Sequence, residues 1–284
     1  MHRRSPLPLL LAALVALPVL FGVAYAALAV LGLTGAGATG KLDWTRATAL
    51  LTDRTTWRGV SWSLYVATVS TAIATAAAAG VALLFPRGTR TDRIARSLAT
   101  LPLPVPHLVA AATALFVLGQ SGLLARLLFF AGVINEPGAM PPLVYDRAGV
   151  GLIVALAWKE LPFLAVVGIA MRAGVSRDLE DAARTLGATP AYVARRVVWP
   201  LLWRGLLPAV IATFIFAFGS FESAVLLAPV DPAPLPVLTM ERFADPSLAR
   251  RSDAYGLALI ALVVGALAVA VHEWTRARWG ALVK

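Results

Sequence analysis

Three kinds of residue in this 284-residue chain have the types and spacing for chemistry: a serine set among glycines, a lysine closing a glycine-rich run, and charges embedded in apolar sequence. Gly119-Gln120-Ser121-Gly122 presents the serine. A serine nucleophile needs a base within hydrogen-bond reach, and the three histidines are His2, His107 and His272. His107 is about 20 Å away if the intervening residues are helical. His272 lies at the far end of another apolar run, about a membrane thickness away. Gly35-Ala36-Gly37-Ala38-Thr39-Gly40-Lys41 matches most of a phosphate-cradling loop, but Leu42 follows where a hydroxyl must hold magnesium. With no cysteine and three histidines, neither a disulfide nor a thiolate or histidine metal cluster is expected.

The embedded charges are better clues. Lys159 and Glu160 fall near the middle of one apolar run, and Glu222 falls in the outer part of another, flanked by Ser220 and Ser223. A charge at mid-membrane costs about 2.5–3.5 kcal/mol on insertion scales, so each must face protein or water. Adjacent residues on a helix point about 100° apart, so Lys159 and Glu160 cannot neutralise each other on one face, and one or both need another helix. Lys159, Glu160, Glu222, Ser220 and Ser223 are therefore candidates for a translocation pathway, with structural ion pairing as the alternative.

The elements that position these residues follow from composition. Hydrophobic residues make up 59% of the chain and charged residues 14%, with mean hydropathy +0.79. Soluble domains carry about 25% charged residues, so a soluble fold is excluded, and so is a large extramembrane catalytic domain. Six apolar runs are long enough to cross: about 9–33, 61–85, 100–119, 150–171, 205–227 and 255–272. The shorter run 123–133, interrupted by Arg126, reads as an interfacial or re-entrant helix. Ala24-Tyr25-Ala26 looks like a cleavage site, but the apolar run outlasts a signal core, so an uncleaved first span is expected. If the N-terminus is cytoplasmic, fifteen Lys and Arg lie on that face against nine on the other. Both termini are therefore expected in the cytoplasm. The net charge of +10 reads as an orientation signal rather than as one for nucleic acid.

One loop, 172–204, has strong internal punctuation. Ser176 and Asp178 can start a helix whose first turns carry Asp178, Glu180 and Asp181. Leu179, Ala182, Ala183 and Leu186 share one face. Gly187 is placed to end that helix, and Thr189-Pro190 to begin another with Val193, Val197 and Leu201 along one side. So short a helix is marginal alone and needs a surface to pack on.

Asp181-Ala182-Ala183, Gly187 four residues later, then Val197 and Pro200 is similar to the EAA loop (E-A-A-x-x-x-G-x(9)-I-x-L-P) of permease subunits in binding-protein-dependent ABC importers. Asp181 stands for Glu, Val197 for Ile and Trp199 for Leu, and Glu180 is placed to compensate for the shorter carboxylate. The resemblance covers about residues 60–275. It implies an all-α, six-span type I importer permease: a first helix and outer loop (1–60), a permease core (61–275) and a cytoplasmic tail (276–284). It implies that Glu180, Asp181, Ala182, Ala183, Gly187, Val197 and Pro200 couple to cytoplasmic ABC ATPase subunits, and that the chain holds no cofactor and no ATPase site of its own. A second permease subunit, an extracytoplasmic solute-binding protein and membrane lipid are the implied partners. The Pro102-Leu103-Pro104-Val105-Pro106-His107 and Phe218-Gly219-Ser220-Phe221-Glu222 stretches look most like permeases for polyamine, ferric iron, thiamine and sulfate. Glu222 suits a cation better than an anion. The alternative from another class is a rhomboid-like intramembrane protease using Ser121.

Overall fold

The computed structural model describes residues 7–35, 38–85 and 89–281. Ala36 and Gly37 of the glycine-rich run before Lys41, together with Arg3, Arg4, Arg87 and Lys284 of the charge count, lie outside them. Among the described residues the regular elements are helices: α1 (Leu7–Val30), α2 (Thr45–Thr52), α3 (Arg54–Leu84), α4 (Arg90–Thr100), α5 (His107–Leu118), α6 (Leu123–Phe130), α7 (Val150–Ala173), α8 (Arg177–Thr185), α9 (Pro190–Val193), α10 (Trp199–Phe218), α11 (Phe221–Leu227), α12 (Leu235–Ala244) and α13 (Leu248–Ala281). Six stretches can cross a membrane: Leu10–Val30, Arg54–Leu84, His107–Phe130, Val150–Ala173, Pro190–Phe218 and Leu248–Arg278.

Contacts divide the chain into two units. The first comprises Met1–Val60 and Leu235–Ala266. Here Gly256 of α13 leaves room for Leu50 and for Val30, and Tyr255 meets Tyr25 edge-on with ring centres 5.6 Å apart. Asp53 starts α3: its carboxylate accepts from the Thr55 amide at 3.1 Å and the Thr56 hydroxyl at 3.2 Å. Burial raises the Asp53 pKa, but those hydrogen bonds and Arg242 outweigh it and hold the carboxyl below its ordinary value.

The second unit comprises Ser61–Pro234 and Leu267–Lys284. Its core is a seam of small and branched residues: Ala74, Ala78 and Ala82 from α3, Leu164 and Ala165 from α7, and Leu202, Leu206 and Ala209 from α10. Small side chains let helix backbones approach where lipid supplies no hydrophobic drive between spans. At Gly168 an added Cβ would already touch Ala82 at 3.5 Å and the Ala78 carbonyl at 3.8 Å. The start of α7 is fixed by Gly149, at φ 69°, where a side chain would collide with the Trp62 ring; Trp62 in turn donates to the Arg147 carbonyl at 2.8 Å.

Several boundaries differ from the sequence reading. The second span begins at Arg54 rather than near 61, and the fifth begins at Pro190 rather than near 205. The third runs on to Phe130 and takes in the short run expected to be separate, and the sixth covers Leu248–Arg278 rather than 255–272. Two further differences have a local cause. The third span begins at His107 rather than near 100, because the prolines at 102, 104 and 106 keep 101–106 out of a helix between α4 and α5. The fifth span ends at Phe218 rather than near 227; Gly219 and Ser220 break the helix, and α11 follows. Replacing Ala78 by Leu should overpack the α3–α7–α10 seam by about 1–3 kcal/mol, read as a lower midpoint of thermal unfolding in detergent, with Leu262→Ala at an exposed site as the control.

Candidate functional site

The loop after α7 folds as its punctuation dictates. Ser176 caps α8, its hydroxyl accepting from the Asp178 amide at 3.2 Å. Gly187 ends the helix at φ +86°, donating to the Arg184 carbonyl at 2.9 Å while Ala188 donates to Ala183 at 3.0 Å. These two bonds close the helix end and turn the chain. Thr189 then caps α9, accepting from the Tyr192 amide, with Pro190 at the first helical position.

The two faces of α8 have opposite fates. Leu179, Ala182 and Leu186 are exposed, Leu186 by 88%, and Ala183 is half-buried; Asp181 is exposed beside Arg184 at 3.8 Å. Glu180 turns the other way. It is buried, with Oε1 2.8 Å from Arg172 Nη1 and Oε2 accepting from Nη2 at 3.0 Å. Glu180 therefore cannot take over the outward ionic contact expected of it. One residue along a helix rotates a side chain about 100°, which carries Glu180 away from the exposed face and onto the end of α7. Arg172 was missed as its partner; the signal was a basic residue eight positions before a carboxylate across a Gly-containing turn.

The second helix also departs from expectation. Val193, Val198 and Leu202 are buried, rather than Val193, Val197 and Leu201. Residues 194–198 form a π-turn in which the Trp199 amide reaches back to Ala194. The wider turn inserts one residue into the period and shifts the buried face by one. Pro200 explains its place: it has no amide to give the Arg196 carbonyl, so the helix loosens just before it. Val197 is left half-buried and Pro200 exposed.

The embedded charges find partners on another segment, as the 100° offset required. Glu160 Oε1 lies 2.9 Å from His107 Nε2, within hydrogen-bond distance, and Lys159 Nζ donates to the Leu103 carbonyl at 3.3 Å. Both charges are buried in α7, while His107 opens α5 and lies against Phe216 of α10 with ring centres 4.4 Å apart. The proline stretch supplies both contacts, since it leaves a free carbonyl at Leu103 and places His107 at the helix start. His107 was weighed only as a base for Ser121 and missed here.

Glu222, Ser220 and Ser223 are not inside a span helix. Ser220 and Ser223 are buried, but Glu222 is exposed in the first turn of α11, where the helix dipole favours a carboxylate. Ser121 has no hydrogen bond to a histidine among the described residues: His107 is taken by Glu160, and His272 lies 3.9 Å from its neighbour Glu273.

A family model described as "binding-protein-dependent transport system inner membrane component" matches residues 71–279. The chain belongs to this family. It is similar to the molybdenum transport system permease protein ModB of Mycobacterium tuberculosis, with 29% identity over 260 residues, 89% of this chain and 90% of that one. A probable molybdenum ABC transporter permease of Haloferax volcanii is 30% identical over 218 residues, 76% of this chain and 75% of its own. Among solved structures, a bacterial alginate ABC transporter in complex with an alginate pentasaccharide-bound periplasmic protein superposes with TM-score 0.71 over 92% of this chain and 90% of its own, at 16% identity. The fold is thus that of type I ABC importer permeases, and this permease is a multi-pass membrane subunit of an ABC importer. Nothing in these matches favours a rhomboid-like protease.

In the permease, His107 and Glu160 tie α5 to α7 within the span region. Across Glu160→Gln, His107→Ala and the double variant, thermal unfolding should give a coupling of about 1 kcal/mol or more. Additive effects would show the two side chains to be independent.

Proposed function

We propose that this permease moves a molybdate-like tetrahedral oxyanion, delivered by a binding protein on the outer face and powered by ATPase subunits that dock on α8. The observation that carries the coupling role is the exposed Leu179–Ala182–Leu186 ridge, bounded by the Gly187 turn and anchored from behind by Arg172 and Glu180. An apolar ridge with small residues along it suits close approach of a partner groove, and Asp181, exposed beside it at 3.8 Å from Arg184, adds a charged edge to that surface. In this reading the loop is cytoplasmic, both termini lie on the same side, and a second permease subunit completes the pathway.

Coupling then has a mechanical route. ATP-driven closure of the ATPases would displace α8; the Arg172–Glu180 pair would pass that displacement to α7, whose middle carries Lys159 and Glu160. Lys159, Glu160, His107, Ser220 and Ser223 are the pathway candidates in this scheme. Alternation between inward-open and outward-open states follows as a rigid tilt of packed helices.

The substrate reading rests on relatives that match 89% and 76% of the chain and are named for molybdenum transport. Molybdate and sulfate share shape and charge, which keeps the sulfate group in view and sets polyamine, ferric iron and thiamine aside. Glu222 no longer argues for a cation, because its helix-end position accounts for it.

Two measurements test the proposal. Gly187→Val should cost stability only about 1–2 kcal/mol, a purely conformational penalty, since nothing lies within 4 Å of the added Cβ. It should nevertheless abolish ATP-dependent uptake while membrane insertion persists; normal uptake would sink the coupling role. For the substrate, thermal shift of the partner binding protein should be largest with molybdate, and a larger shift with spermidine, ferric iron or thiamine would overturn the oxyanion reading.

A further inference from the structure

Behind the coupling helix the second unit holds a cavity of about 450 Å³, within the range of about 300–1,000 Å³ usual for small-molecule sites. Guanidinium groups dominate its lining: Arg96 of α4, Arg172 at the end of α7, and Arg177 and Arg184 of α8. The acidic members are Glu180 and Asp181. Glu180 is consumed by Arg172, and Asp181 lies 3.8 Å from Arg184. Two positive charges remain. Arg96 donates through Nε to the Phe85 carbonyl at 3.0 Å, which fixes its stem, and has no carboxylate partner among the described residues. Arg177 has no ion pair among the described residues and sits at the first position of α8, where the helix end adds positive potential.

Like charges gathered around one cavity repel, and an anion placed among them relieves that repulsion. A forked guanidinium is matched in shape to phosphate oxygens. Arg172 lies in the last turn of a spanning helix, so the cavity opens where a span ends, at the level of lipid headgroups. We propose that this cavity binds a phosphate group, carried by an anionic phospholipid headgroup or free in solution. Bound there, phosphate bridges α4 and α8 through Arg96 and Arg177 and stiffens the coupling helix from the side opposite its exposed ridge. The proposal depends on the cavity's charge and not on what docks on that ridge.

The test uses the full-length permease purified with its partner subunits in neutral detergent. Retention of lipid in native mass spectrometry and the shift in unfolding midpoint are measured with phosphatidylglycerol, with phosphatidylcholine and with inorganic phosphate, at matched ionic strength. Phosphatidylglycerol should be retained, and R96Q/R177Q should bind it roughly tenfold or more weakly, while R96K/R177K, which keeps both charges, retains binding and guards against a folding defect in the first variant. An effect of phosphatidylglycerol alone identifies the headgroup as the source, and an equal effect of inorganic phosphate identifies the free anion. If neither anion distinguishes the native protein from R96Q/R177Q, the proposal falls. It falls equally if R96Q/R177Q sheds the ATPase subunits while its affinity for phosphatidylglycerol is unchanged, since the arginines would then face a partner's carboxylates.

Discussion

Arg172 and Glu180 meet through two parallel contacts, at 2.8 and 3.0 Å, both side chains largely shielded from solvent. Removing either leaves a buried charge without a partner, a loss of about 3–5 kcal/mol in buried pairs, so the two residues hold one geometry. That geometry joins the last turn of a spanning helix to a nine-residue helix that is too short to be stable in water on its own. Its other consequences follow from the helical period. With Glu180 facing inward, Leu179, Ala182 and Leu186 face outward.

The same need to satisfy charge away from water organises the middle of α7. Lys159 and Glu160 are adjacent, so they cannot share one partner, and the structure gives each its own: a backbone carbonyl at Leu103 and the imidazole of His107. Both partners exist because prolines interrupt the chain before α5, freeing a carbonyl and placing a histidine at a helix start. Around this polar point the packing is done by alanine, glycine and leucine, which let α3, α7 and α10 approach closely. A proline-broken segment beside a small-residue seam thus serves two ends, closeness of helices and satisfaction of charge. In the proposed scheme a helix anchored at its middle and gripped at its end is suited to move as a rod.

Much of the 172–204 loop was legible in the order of its residues. Ser176, Gly187, Thr189 and Pro190 act within a few positions of themselves, through caps and a left-handed turn, so their roles survive any tertiary context. The inward turn of Glu180 was not legible, because Arg172 competes for it across a loop and no periodicity reports that. The π-turn at 194–198 was also hidden: Pro200 announced a missing amide, but whether the helix would kink, end or widen depends on what packs against Val198 and Leu202. Glu222 was misplaced for a related reason, since an apolar run does not show where Gly219 and Ser220 break it.

The sequence by itself determined that the chain lives in a membrane, how many times it can cross, and where its short helices start and stop, because hydropathy and capping are local free energies summed over neighbouring residues. Only the tertiary structure decided which charges pair, which face of α8 stays open and where guanidinium groups gather, because those outcomes depend on distances between segments far apart in the chain. A buried charge accepts the first partner that geometry offers, and that geometry is a property of the packed helices.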